Sequence, residues 1–492
     1  MEDLYNWAIL HCREWGRGKI NVICIMMDTW RFDYAGCYGN KKIKTPNLDR
    51  FASEATLFEN AYSEGVPTLP ARMACFTGRY TFPFRPWQQL ETHDVLLSSA
   101  LDRAGYTTAL ISDTLPMRGD TLPNVRNYLT GNYMMGFKYV EWSDQTYFWL
   151  PRAPWLPKAK VTKEIIYRYW KDRGDHRDAI FRERIKRQLE ARLLWKSDED
   201  SFVAQTIKKA IAWLERQKDL DHIFLWLDTW DPHEPWDPPP PFDTMYVDPN
   251  YEGPRIIRAS DGPVEGYLNE DELECIRGLY AGEVSMCDKW LGIFLNKVEE
   301  LGLMENSLII FLSDHGNFHG DHGLIHKARC WPYECMSHIP LIIRLPDGTG
   351  RGKRIDAFVD TTDIMPTILD FLEIKLPPAR TSHEMLHGHS LLPLIRGEVD
   401  KVRDCAYMGW YRRAWAIREG DWKYIMYSGQ NFVFTGKTKP ELFNLRRDPN
   451  ERENVIDEHQ DLADQLELKL RRFISGLPPT LPAPPPRGGP AI

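Results

Sequence analysis

Three short apolar runs, each closed by an acid or an acid–histidine pair, constrain the fold of this chain most. They are residues 20–28 (INVICIMMD), 221–228 (DHIFLWLD) and 307–315 (SLIIFLSDH). Continuous apolar runs of this length read as strands buried on both faces, the habit of parallel sheets. Helical patterns lie between them. Residues 94–104 (DVLLSSALDRA) stop at Gly105, a plausible C-cap; 201–217 has helical apolar spacing; 271–300 carries a long periodic pattern. The expected class is therefore α/β, with a mostly parallel central sheet between helices over residues 1–400. A small C-terminal α+β domain with an antiparallel sheet is expected over 401–476, because 407–445 breaks into short β-like runs. In open α/β sheets ligands bind beyond the carboxyl ends of the strands, which is where these acids fall.

The 492 residues suffice for a large core and two domains. A net charge of −8 lacks the basic excess of a nucleic-acid binder. No run is long and apolar enough to span a bilayer. The first residues, MEDLYNWAILHCREWGRGK, lack the basic start and apolar core of an export signal. The nine cysteines are scattered without a C-x-x-C pair, so they read as reduced thiols and the expected location is cytoplasmic. Two segments stand apart by composition. Residues 160–200 are strongly charged and helical in pattern, a solvated insertion or a basic lid; 232–242 (PHEPWDPPPPF) must be a rigid loop directly after a strand end. The Pro-rich tail 477–492 cannot fold alone and reads as an arm, free or laid over a neighbouring subunit; together with the charged insertion it leads to the expectation of a homo-oligomer.

Chemistry concentrates at the strand ends. Asp28, Asp314 and His315 close two of the predicted strands, and two carboxylates with an imidazole are a sound ligand set for one divalent cation. One such residue would be weak; two strand ends together with the segment Thr68-Leu69-Pro70-Ala71-Arg72 are not readily explained as loop caps.

Seven segments in order resemble the sulfatase branch of the alkaline phosphatase superfamily: MMDTWRFDYAGCYGN, TPNLDRFASEATLFENAYS, TLPARMACFTGRY, DPHEPW, LSDHGNFHGDHGLIHK, HGHSLLPLIRG and ELFNLRRDPNERENV. The resemblance implies an alkaline phosphatase-like fold and roles for particular residues. Asp28, Asp314 and His315 match metal ligands, with Thr68 as the nucleophile that also touches the metal. Arg72 matches the arginine that steadies the nucleophile. His233 matches a histidine that contacts substrate and protonates a leaving group, and Lys327 a lysine that binds the anion's oxygens. Thr114, in ISDT, is expected at the anion as well.

The chain departs from the sulfatase pattern at four places. Thr68 stands where sulfatases carry the Cys or Ser that becomes formylglycine. The first strand ends Asp28-Thr29, in a D-x-W-R context like that of phosphonate monoester hydrolases. The later strand has Asp314-His315 where calcium sulfatases often have Asp-Asn, which favours manganese or zinc, with iron or calcium as alternatives. GYTTALISDTLPMRGD lacks the family's lysine in that region. A formylglycine ester collapses as a hemiacetal, whereas a threonine ester must be attacked by water. The expected activity is therefore metal-dependent hydrolysis of phosphate diesters or phosphonate monoesters, on a small anionic substrate, with no nucleic acid or membrane partner. Alternatives are a sulfuric ester hydrolase, a phosphotransferase, and a silent binding scaffold. Thr68 either attacks or orients a metal-bound water. A second metal is open, since Asp228, Asp231, His319 and His322 lack the Asp-x-x-x-His spacing of two-metal relatives.

Overall fold

The computed structural model describes residues 20–91, 93–114, 136–143, 155, 157–217, 221–327, 329–379, 384–427 and 439–477. The Pro-rich tail beyond Leu477 and Cys12 lie outside them. The strands in chain order are β1 Asn21–Met27, β2 Thr56–Tyr62, β3 Thr107–Ser112, β4 Tyr139–Trp142, β5 Ile223–Thr229, β6 Gly262–Pro263, β7 Ser307–Ser313, β8 Phe318–His319, β9 Leu324–His326, β10 Leu341–Arg344 and β11 Arg354–Asp360. The order across the large sheet is β11-β2-β10-β7-β1-β5-β3-β4. Every pairing in it is parallel except the two made by β10. The predicted central strands β1, β5 and β7 are neighbours, buried along their whole length.

The helices used below are α1 Pro46–Ser53, α2 Thr68–Thr77, α3 Leu97–Arg103, α4 Lys163–Tyr169, α5 Asp178–Arg192, α6 Phe202–Gln217, α7 Glu270–Glu300, α8 Ile364–Phe371 and α9 Gln460–Gly476. Strand alternation sorts the core into two layers. Ile23, Ile25 and Met27 pack with Ile207 and Leu214 of α6 and with Leu279 and Val284 of α7. Val22, Cys24 and Met26 face the other way, onto Leu69 and Met73 of α2, Leu97 of α3 and Ile368 of α8. The long helix α7 starts at a capping box between Asn269 and Glu272.

The charged segment 160–200 is helical, as α4 and α5, and is more than a solvated appendage. Phe181, Ile185 and Leu189 of α5 are buried in the core, each worth about 1.5–3 kcal/mol. Gln188 donates to the Asp237 carboxylate at 3.0 Å and Arg192 to the carbonyl of Pro238 at 2.8 Å. The insertion therefore braces the Pro-rich loop from behind.

A second sheet, antiparallel in the order β12 Cys405–Trp410, β13 Ala414–Glu419, β14 Trp422–Tyr427, β15 Glu441–Asn444, packs α9 on one face. Its other face meets Tyr62, Val66, Trp331 and Tyr333 of the large unit. The two units share backbone bonds: Val66 N–H donates to the Gly409 carbonyl at 3.1 Å, and Gly409 N–H to the Glu64 carbonyl at 2.8 Å. Beside this junction the fully buried Lys423 ammonium lies between Glu334 Oε1 at 2.9 Å and Glu451 Oε1 at 3.1 Å. Removing one partner of a buried ion pair leaves an uncompensated charge. Lys423→Met should therefore destabilise the fold by about 3–5 kcal/mol, read by urea denaturation, with Lys423→Arg recovering part of it.

Candidate active site

The strand ends bring together residues that are hundreds of positions apart. Asp28 follows β1, Asp228 lies in β5, and Asp314-His315 follow β7. The nucleophile candidate Thr68 opens α2, whose end is set by Gly78 in the left-handed conformation at φ 64°. Gly316 is needed for close approach, since a Cβ there would lie 1.9 Å from the Cys335 carbonyl oxygen.

One guanidinium organises the centre. Arg72, one turn into α2 and fully buried, gives Nε to Asp228 Oδ2 at 2.9 Å and Nη2 to Asp228 Oδ1 at 2.7 Å. Its Nη1 contacts Asp314 Oδ2, and its Nη2 stands 3.2 Å from Asp28 Oδ2. Asp228 is further held by the Thr114 hydroxyl at 2.6 Å and the Trp226 indole N–H at 3.2 Å. Thr114, expected at the anion, thus spends its hydroxyl on Asp228. Asp314 Oδ1 accepts the backbone N–H of Thr29 at 3.0 Å and of His315 at 2.8 Å.

Asp28, Asp314 and His315 offer ligand atoms within 4.8 Å of one another, the one such group among the described residues. The residues fit a divalent cation on their own chemistry. Both Asp28 oxygens are buried without a hydrogen-bond partner. Burial, and then the neighbouring Asp314, push the Asp28 carboxyl well up, a conflict that a cation relieves. Burial also opposes the Asp314 anion, but His315 and Arg72 outweigh it and bring that carboxyl down to about 2. The His315 ring is settled by its partner: Nδ1 donates to the Gly316 carbonyl at 2.7 Å, leaving the Nε2 lone pair toward the site. Burial lowers this histidine to about 4, so it is neutral and able to ligate. Thr68 Oγ1 lies 3.2 Å from that Nε2.

The candidates for a second metal are not gathered. Asp228 is saturated by Arg72, Thr114 and Trp226; Asp231 accepts the Val203 N–H at 3.1 Å; His322 stacks on Tyr333 with ring centroids 3.6 Å apart. His319 lies among Tyr34, Trp236 and Tyr280.

His233 and Lys327 approach from the Pro-rich loop and from the turn after β9. His233 is buried, packs against Trp230 with ring centroids 3.8 Å apart and the planes tilted by 36°, and gives Nδ1–H to the Glu234 carbonyl at 2.7 Å. Burial holds it well below the usual histidine range, so its Nε2 is an acceptor in the free protein. Lys327 Nζ reaches both Glu234 oxygens, at 2.9 and 3.1 Å. Glu234 and Arg258 carry no role in the motif reading, although Glu234 lies within the conspicuous DPHEPW segment; the signal is an acid next to the site histidine, the pair enclosed by Pro232 and Pro235.

A family model described as Sulfatase matches residues 20–374. The chain belongs to the sulfatase family. A second model, described as N-sulphoglucosamine sulphohydrolase, C-terminal, matches residues 320–475. Among relatives, this sulfatase-family chain is 26% identical to an arylsulfatase of Clostridium perfringens, over 93% of the chain and 95% of the relative. It is 28% identical to the multifunctional alkaline phosphatase superfamily protein PehA of Trinickia caryophylli, over 88% and 91%. The phosphonate monoester hydrolase of Agrobacterium radiobacter shares the fold, with a TM-score of 0.68 at 23% identity, covering 93% of the chain and 96% of that structure. The sulfatase-family chain is thus an ester hydrolase of the alkaline phosphatase superfamily, with a large mixed, mostly parallel sheet and a small antiparallel one.

Two outcomes are expected. Asp28→Asn should weaken manganese or zinc binding by at least ~100-fold in calorimetric titration, since even residues that only orient ligands are worth about 10–100-fold. The second concerns acid. Burial, then Arg31, keep His319 well below its ordinary value. The unfolded chain takes up a proton near pH ~6.5 that the folded chain refuses, so this histidine's stability contribution is whole above that pH and declines below it. Between neutrality and pH ~5, His319→Phe should lose about 2 kcal/mol less stability than the unaltered protein in denaturant titrations.

Proposed function

We propose that this chain is a metal-dependent hydrolase of phosphate diesters or phosphonate monoesters, with Thr68 as nucleophile. The observation that carries the reading is Thr68 itself, buried at the start of α2 with its hydroxyl 3.2 Å from His315 Nε2. Threonine offers no aldehyde, so the route by which a formylglycine ester expels sulfate is closed. What remains is displacement at a tetrahedral anion, and phosphorus accepts such attack from a hydroxyl. A cation held by Asp28, Asp314 and His315, with manganese or zinc suited to the oxygen and imidazole donors, would supply charge that lowers the hydroxyl's pKa.

The chain's own groups do the rest. Arg72 fixes α2 against β1, β5 and β7, so Thr68 cannot drift from the strand ends. The first turn of α2 presents backbone N–H groups that favour anionic oxygens. Lys327 supplies a cation for the anion's oxygens. His233, neutral when the site is free, gains proton affinity as an anionic substrate enters and can then hold a proton for the leaving group. Trp230, itself buried, packs against the His233 ring on that side. Sulfate ester hydrolysis is the second reading, favoured by the family model and the arylsulfatase relatives. A cytoplasmic location and a homo-oligomer accord with the reduced-thiol and Pro-rich-tail features of the sequence.

The deciding measurement compares bis(p-nitrophenyl) phosphate with p-nitrophenyl sulfate on manganese- or zinc-loaded protein, with Thr68→Ala beside it. The expected outcome is preferential diester cleavage that falls by at least ~1,000-fold in Thr68→Ala. Preferential sulfate cleavage would overturn the phosphorus assignment, and diester cleavage that survives Thr68→Ala would move the attack to water.

A further inference from the structure

Glu234 sits where separate walls of the site meet. Its carboxylate is 2% exposed. Lys327 donates to both its oxygens, Asn317 Nδ2 donates to Oε2 at 3.0 Å, Arg258 Nη2 stands 3.5 Å from Oε1, and His326 Nδ1 3.7 Å from Oε1. His233 Nδ1 is 3.4 Å from Oε2, while the Glu234 main-chain carbonyl takes His233 Nδ1–H and the Trp230 indole N–H at 3.3 Å. One residue therefore ties the Pro-rich loop to the loop after β7, through Asn317, and to the anion-binding lysine. Burial works against its charge, but His233, Lys327, His326 and Arg258 outweigh it and hold the carboxyl well below the usual range, so it is an anion.

The charge balance then has a consequence for substrate. Arg258 is already paired with Asp261 at 2.9 Å, and Lys327 is paired with Glu234. At the strand ends Asp28, Asp228 and Asp314 face Arg72, and a divalent cation would complete their neutralisation. Neither wall is left with a large surplus of positive charge. In a buried site a second negative charge on the substrate is strongly disfavoured when a carboxylate already occupies the nearest cation.

We propose that Glu234 is a specificity-determining residue that makes the site select singly charged esters over doubly charged ones, by half-neutralising Lys327 while positioning it and His233. This deepens the preceding reading of an anion-ester site and rests on it, but it concerns ionic charge at the reacting centre, not the identity of phosphorus or sulfur. It predicts discrimination against phosphate monoester dianions even where the leaving group is the same.

The test is equilibrium binding on the metal-loaded full chain, which is independent of turnover and so of whether diesters are cleaved. The probes are phenylphosphonate, at a pH where the dianion is fully formed, and its monomethyl ester, a monoanion of nearly the same shape. Glu234→Gln should shift the affinity ratio toward the dianion by at least ~10-fold, and Glu234→Asp, which keeps the charge, should retain the original preference. Lys327→Met, which leaves Glu234 without its main partner, should move the ratio the other way. An unchanged ratio in Glu234→Gln overturns the proposal. Should that variant not fold, equal loss of both probes in Lys327→Met overturns it instead.

Discussion

The interaction on which the rest of the structure depends is the Arg72 guanidinium among Asp28, Asp228 and Asp314. It links helix α2 to the carboxyl ends of three adjacent strands in a space without water access. Three carboxylates brought so close repel one another, and the dry surroundings magnify the repulsion. A planar, permanently charged fork can satisfy two of them by direct bonds and leave the third, Asp28, for a cation. The same contact decides where the first turn of α2 lies, and with it the Thr68 hydroxyl. Fold stability, the grouping of Asp28, Asp314 and His315, and the position of Thr68 are therefore aspects of a single buried charge cluster.

Around that cluster the remaining elements act as braces. The small C-terminal sheet is joined by backbone bonds to Glu64 and Val66, just before the cis Val66–Pro67 bond and Thr68. It thereby buttresses the segment that carries Thr68. The inserted helix α5 grips Asp237 and Pro238 from the opposite side and supports the loop that carries His233 and Glu234. Elements far from the strand ends thus share in holding the site to the sub-ångström tolerance that displacement chemistry requires.

Local pattern carried a good part of this. Apolar runs ending in acids are a strand signature that depends only on neighbours in the chain, and β1, β5 and β7 formed where 20–28, 221–228 and 307–315 indicate. Asp28, Asp314 and His315 were legible because strand ends aim their last side chains into the same crevice. Asp228 was legible as a strand-end acid but not as the main partner of Arg72, because its function depends on which strand lies beside which. Glu234 was hidden for the same reason. Next to it in sequence stand only His233 and Pro235, while Asn317, Arg258, His326 and Lys327 arrive from other elements. The buried face of α5 was masked by charge: a helix with acidic or basic residues on about half of its positions can still bury a narrow stripe of Phe181, Ile185 and Leu189.

The division has a physical basis. Backbone preference and side-chain periodicity act over a few residues, so the chain alone specified an α/β class, the strand ends, the ligand types and a threonine that cannot become an aldehyde. Charge acts through space, and its strength depends on burial and on every neighbour within several ångströms. Only the folded arrangement decided that Arg72 bridges three acids, that Thr114 serves Asp228, that His233 is neutral, and that Lys327 meets the site with a carboxylate already at its side.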